Sequence, residues 1–276
     1  MNPAAEFRLR IIHRIDTART PMFASFRMAA AVVAVCSIVA GAHAEDHPLP
    51  EKQRQELATS LDEQIAQFTK RLEADPKKVG FYSRRGDAYF FRGRFKESVA
   101  DYQKMVELDP KLEKSHWRRG IAWFYAGDFK QAAHQFEIYD TFDNIDRENG
   151  IWRFFSQAKA YGVKRARKGL LKYKKDDREP FPSVYKLFGE TMTPAEILAA
   201  IAEANIDKDE REKRLFFAQL YIGLNYDIHG DSKKAEIHLR EAVANKWGPT
   251  AGGGPSYMWH VGRLHYNRLR EKNNKP

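Results

Sequence analysis

The sequence predicts an all-α fold, an α-solenoid made by stacking antiparallel helix pairs. Three observations predict it. Packing and turn residues recur at a spacing of 34: Pro76 and Pro110, each behind an aspartate, Gly86 and Gly120, Gly93 and Gly127, Phe95 and Phe129, Tyr102 and Phe136. A fixed period of this length marks a repeat array. Within one period, Tyr82, Gly86 and Tyr89 fall at i, i+4, i+7, and Val99, Tyr102 and Val106 at i, i+3, i+7, which are two helical stripes. Gly93 and Gly127 stand between the stripes, where a short helix–helix turn needs positive φ. Each pair buries only part of its apolar face, and the next pair covers the remainder.

The chain has 276 residues, 43% of them hydrophobic and 30% charged, with a net charge of +10. That composition supplies a core and excludes wholesale disorder. One cysteine, Cys36, excludes an internal disulfide framework and a multi-cysteine metal site.

Residues 1–44 read as a secretory signal. Arg8, Arg10, Arg14, Arg19 and Arg27 lead into the apolar run Met28–Ala42, followed by His43 and Ala44. A basic flank, a short apolar stretch and an A-x-A site are its three parts. The run is short for a membrane span, which needs about 20 residues; an uncleaved anchor is the minority reading. Met22 and Met28 are alternative starts. Val35 before Cys36 and the apolar run after it do not suit lipid attachment. The expectation is an exported chain, periplasmic or secreted, with no stable span after cleavage.

Residues 45–276 form the repeat region. Glu51–Ala74 reads as one amphipathic helix ahead of the first unit, 79–112. This unit carries Tyr82, Gly86, Tyr89, Ser98, Tyr102 and Pro110. The second, 113–146, carries Gly120, Trp123, Gly127, Ala132 and Phe136, and a third, 216–249, carries Gly223, Tyr226, Gly230, Ala235, Leu239 and Ala242. Small residues at Gly86 and Ser98 let paired helices approach. Pro110 ends its unit because it cannot continue a helix inward. Between 147 and 215 the pattern degenerates. Ile151–Tyr161 and Val163–Tyr173 read as a helix pair broken at Gly162, and Pro180-Phe181-Pro182 as a rigid joint. Thr193-Pro194-Ala195-Glu196 caps a helix running to about Ala204. A flexible glycine joint at 251–255 leads into a capping helix, 255–271, that seals the open end of the stack.

In this register the residues resemble the tetratricopeptide repeat (TPR) family, with Asn144 and Trp247 replacing the unit-ending proline in the second and third units. Two adjacent units, an irregular segment, a late unit and a closing helix on an exported chain also resemble bacterial envelope TPR lipoproteins of the NlpI type. That resemblance implies an adaptor, often self-associating, that gathers enzymes of wall metabolism. The absent lipid-attachment motif departs from it.

No nucleophile elbow, zincin helix, P-loop or Rossmann glycine pattern is present. His260 and His265 are five apart and do not share a ligand face. No cofactor and no metal are expected, and the chain reads as a non-enzyme. The family's concave surface would be lined here by Arg84, Asp87, Phe91, Lys114, Trp117, Arg118, Ile121 and Tyr125. Such an aromatic and basic groove would hold a peptide or protein through apolar anchors and Arg–carboxylate bonds. For Phe91 and Tyr125, packing against the neighbouring helix is an equal reading. Ser83 and Asp87 replace the Lys/Asn pair with which some family members clamp a C-terminal carboxylate, so that mode is not expected. A second feature is the basic run Lys164, Arg165, Lys168, Lys172 and Lys175, which along one helix face makes either a solvated surface or a patch for an acidic partner. Nucleic acid fits poorly with export. The expected function is a non-catalytic binding module or adaptor in the cell envelope. Alternatives are a self-associating scaffold joined through the 151–205 segment and terminal helix, and a wall-polymer enzyme or carrier, which would need a carboxylate pair in the groove.

Overall fold

The computed structural model describes residues 47–175 and 177–274; the expected signal segment, 1–44, lies outside the described residues. These are all-α. Helix α1 (Glu51–Ala74) precedes α2 (Val79–Phe91) and α3 (Phe95–Leu108), then α4 (Trp117–Ala126) and α5 (Phe129–Tyr139). The degenerate region holds α6 (Arg147–Tyr161), α7 (Val163–Lys168), α8 (Phe181–Phe188) and α9 (Pro194–Glu203). The third unit is α10 (Lys208–Ile228) with α11 (Ser232–Ala244), followed by α12 (Trp247–Thr250) and α13 (Gly253–Asn273). Most consecutive helices pack on one another, and α13 lies against α11 and also against α2. No helix among the described residues is long and apolar enough to cross a membrane.

The three units repeat at atomic detail. Their corner glycines share one left-handed conformation, with φ of 77° at Gly93, 88° at Gly127 and 87° at Gly230. Aspartates cap the helices that follow the last two corners: Asp128 accepts from the Gln131 N–H and Asp231 from the Lys234 N–H. The helix crossings also match. A Cβ added at Gly86 would lie 2.7 Å from Tyr102, at Gly120 2.7 Å from Phe136, and at Gly223 2.7 Å from Leu239. Each first helix therefore presses bare backbone onto the large residue of its partner, and the small-residue periodicity is a condition of close packing.

The expected capping box at Thr193 is present, with Glu196 donating its N–H to the threonine hydroxyl and its carboxylate accepting the Thr193 N–H. Two expectations change. The helix expected over 163–173 ends at Lys168, because Gly169 closes it on the Arg165 and Ala166 carbonyls. The chain beyond is held in another path: Leu171 N–H donates to the Tyr185 hydroxyl, and Tyr173 packs edge-on to Tyr185 and over the bare Cα of Gly150. Tertiary aromatic contacts outweigh local helix propensity there.

The second change concerns the terminal helix. It does more than seal the end of the stack. Its buried residues include Tyr257, Met258, Trp259, Val261, His265, Tyr266 and Leu269, too broad a face for one neighbour. Tyr257 stacks on Phe90 (4.9 Å between centroids) and meets Trp117 edge-on, His260 stacks on Phe91 (3.8 Å), and His265 meets the Tyr125 hydroxyl at 3.0 Å. Trp259 donates to the Val243 carbonyl. One helix thus binds the last unit and also covers the inner side of the first two.

Candidate binding trough

The first helices of both early units point residues at the start of α13, leaving an open trough of about 530 Å³. Ser83, Arg84, Asp87 and Phe91 of α2, Trp117 and Arg118 of α4, and Gly253, Gly254, Ser256 and Tyr257 line it. Five of the expected groove residues (Arg84, Asp87, Phe91, Trp117 and Arg118) are therefore brought together. The groove is narrower than the bare repeat pattern implies, since α13 occupies part of it.

Within it, charge is unevenly committed. Arg118 donates to both Asp87 oxygens at 2.8 and 2.7 Å and to the Ser83 hydroxyl at 3.1 Å. Tyr102 donates to Asp87 at 2.6 Å. Burial pushes the Asp87 carboxyl above its ordinary range, with Arg118, Tyr102 and the nearby charge of Arg84 opposing it; burial likewise raises Tyr102 and Tyr257. Asp87 and Arg118 form an internal pair bridging two repeat units. Arg84 differs: it is exposed and has neither a hydrogen bond nor an ion pair among the described residues.

Three expected groove residues are corrected. Lys114 sits in the turn before α4, exposed and off the trough wall, because α4 starts only at Trp117, where His116 caps it by accepting the Arg119 N–H. Tyr125 is buried in the core between Phe90, Phe95 and Trp152 and holds His265. Ile121 is fully buried and reaches only an inner cavity. Both lie on the apolar side of α4, which α13 and α6 claim.

The basic run does not form one helical face. Lys164, Arg165 and Lys168 are exposed on α7, with Arg165 over the Tyr161 ring at 4.5 Å. Lys172 and Lys175 lie beyond the helix end and border a separate cavity with Asp140, Asn144 and Tyr173. Within the 151–205 segment expected to contribute to a self-association seam, Ile151, Trp152, Phe154 and Phe155 of α6 are each 0 to 1% exposed, whereas most residues of α9 are exposed.

The sequence reading missed a second site. Beyond Trp117 lies a cavity of about 170 Å³ lined by Trp117, Ile121, Tyr139, Asp146, Glu148, Asn149, Trp152, Arg178, Gly254 and Met258. Asp146 caps α6, and Glu148 stands two residues on, in its first turn; both meet Arg178, from the loop before α8. Tyr221 of α10 donates to Glu148 at 2.5 Å. Burial and the neighbouring Asp146 push the Glu148 carboxyl up to about 7. A carboxylate pair therefore does exist at the start of α6, and two further segments supply its partners Arg178 and Tyr221. Its local signal is Asp146-x-Glu148 at a helix start, which reads as capping and says nothing of Arg178. No metal-holding group of three His, Cys, Asp or Glu occurs among the described residues.

With this geometry in place, comparison with known families finds that residues 79–112 match the tetratricopeptide repeat model. The matched stretch spans α2, the Gly93 corner, α3 and the Pro110 turn. A search of curated proteins finds no match. The chain thus carries a tetratricopeptide repeat within an all-α stack of helix pairs, an architecture whose stacked units provide binding surfaces for proteins and peptides.

Proposed function

We propose that this protein is a non-catalytic binding module that captures a partner peptide in the trough between α2, α4 and the start of α13. On the reading of residues 1–44 it is exported and works as an adaptor in the cell envelope. The observation that carries the binding mode is Arg84, an unpaired guanidinium on the rim of a 530 Å³ trough walled by Phe91, Trp117 and Tyr257. A carboxylate of the partner pairs with Arg84 while an adjacent apolar side chain sits against Trp117, the combination of charge and aromatic anchor that concentrates binding energy. The chain's excess of Lys and Arg favours encounter with an acidic segment. Arg118 contributes through Asp87 to the shape of the wall.

The test is selection of a displayed random-peptide library on the full chain, followed by affinity measurement of the enriched sequences. Enriched peptides are expected to carry Asp or Glu beside an apolar residue. Arg84→Ala and Trp117→Ala should each weaken them about ten-fold, a loss near 1.4 kcal/mol, without changing the melting temperature by more than a few degrees. Enriched peptides that bind both variants as well as the parent chain overturn the proposal.

A further inference from the structure

The trough continues inward. Trp117 and Gly254 belong to the walls of both the open trough and the inner cavity, so the two adjoin along the start of α13. At about 170 Å³, the inner cavity has room for a benzene-sized group, which a cavity of roughly 150 Å³ accepts. The arm of a lysine from Cβ to Nζ is of that size. Trp117, Ile121 and Met258 supply apolar wall, and Asp146, Glu148, Asn149 and Arg178 supply polar wall.

The charges there do not balance. Asp146, Asp177 and Glu148 share one guanidinium, Arg178, at 3.5, 3.1 and 2.7 Å. The groups facing Glu148 are Asp146, Asp177, Arg178 and the hydroxyls of Tyr139 and Tyr221. One cation against three carboxylates leaves the cluster short of positive charge, and the carboxylates are largely buried while Arg178 reaches solvent (8 to 20% against 43% exposed). Burial first, and then the charges of Asp146 and Asp177, raise the Glu148 carboxyl to about 7, so at neutral pH it is partly protonated.

We propose that this cavity receives a single lysine side chain of the bound peptide, its methylenes against Trp117, Ile121 and Met258 and its ammonium completing the Asp146–Glu148–Arg178 cluster. This rests on the trough being a peptide groove and specifies the peptide: an acidic residue at Arg84 and a lysine beyond Trp117. The ammonium replaces the proton on Glu148, so binding releases it.

Nα-acetyl-lysine methylamide is titrated into the full ¹⁵N-labelled chain, reading the indole N–H resonances of Trp117 and Trp152. Nα-acetyl-norleucine methylamide is the same stem without charge. The lysine probe should bind at least ten-fold more tightly than the norleucine probe. Its affinity should rise several-fold from pH 6 to pH 8, where the ammonium stays charged and Glu148 gives up its proton. Glu148→Gln and Asp146→Asn should each weaken the lysine probe about ten-fold and leave the norleucine probe unchanged. Equal affinity of the unaltered chain for the two probes overturns the inference whether or not the variants fold, as does indifference of folded variants to the lysine probe. Arg84→Ala should not affect the lysine probe. Failure of that probe alongside Arg84-dependent peptide capture removes the lysine cavity alone, whereas loss of Arg84 dependence removes the trough.

Discussion

Replacing Arg118 with alanine isolates what holds the trough together. Both oxygens of Asp87 take hydrogen bonds from Arg118, and among the described residues the variant leaves that carboxylate with the Tyr102 hydroxyl as its one remaining direct donor. Breaking a buried pair from one side costs about 3–5 kcal/mol, because the surviving charge stays desolvated and unpaired. Here the side chains of Arg118 and Asp87 are 26% and 19% exposed, so water relieves part of the penalty and about 3 kcal/mol is expected. For a domain of this size, that lowers Tm by roughly 6–12 °C. Asp87→Asn combined with Arg118→Ala removes the orphaned charge while keeping an acceptor for Tyr102, and should recover most of the loss, a coupling of at least about 1.5 kcal/mol. Burial raises the Asp87 carboxyl, so acidification should also shrink the single variant's defect by neutralising the group. Urea unfolding followed by far-ultraviolet circular dichroism at pH 7 and pH 5 measures all three effects. A single variant within about 0.5 kcal/mol of the parent, or a double variant no better than the single, would refute the assignment of this pair to wall structure.

Gly120→Ala drives a Cβ to 2.7 Å from two ring carbons of Phe136, whose ring is itself stacked on Trp152. Chemical denaturation should show a loss of about 1–3 kcal/mol from overpacking, and a gain would contradict the close crossing. Glu148 gives a pH signature. With its carboxyl raised from 4.5 to about 7 in the folded chain, the native state holds the extra proton. Its contribution is full below pH about 4.5 and declines as pH rises to 7, by about 3 kcal/mol at 1.36 kcal/mol per unit. Glu148→Gln should flatten that stretch of the curve of unfolding free energy against pH, and an unchanged slope would show that other groups produce it.

The helix pairs were legible in the sequence because their constraints are local and repeated. A left-handed corner demands glycine at Gly93, Gly127 and Gly230, and a close crossing demands a missing side chain at Gly86, Gly120 and Gly223. Both demands return every 34 residues within the adjacent units. The groove was legible in part for the same reason: Arg84, Asp87, Trp117 and Arg118 hold fixed places on first helices. Misreadings arose where a residue's fate depended on a distant segment. Tyr125 faces inward because α13 arrives there, and the basic run breaks after Lys168 because Tyr185 captures the backbone at Leu171.

Period, corners and crossings are properties of the residues themselves, since steric limits on φ and on interhelical distance act at a single position or between neighbours. The course of the terminal helix is not such a property. Its broad apolar surface suits many neighbours, and only the finished stack presents Phe90, Phe91 and Tyr125 where Tyr257, His260 and His265 meet them. The acidic cavity is equally tertiary. Asp146 and Glu148 at the start of α6, Arg178 before α8 and Tyr221 of α10 come from three segments, and they meet only once the helices have packed.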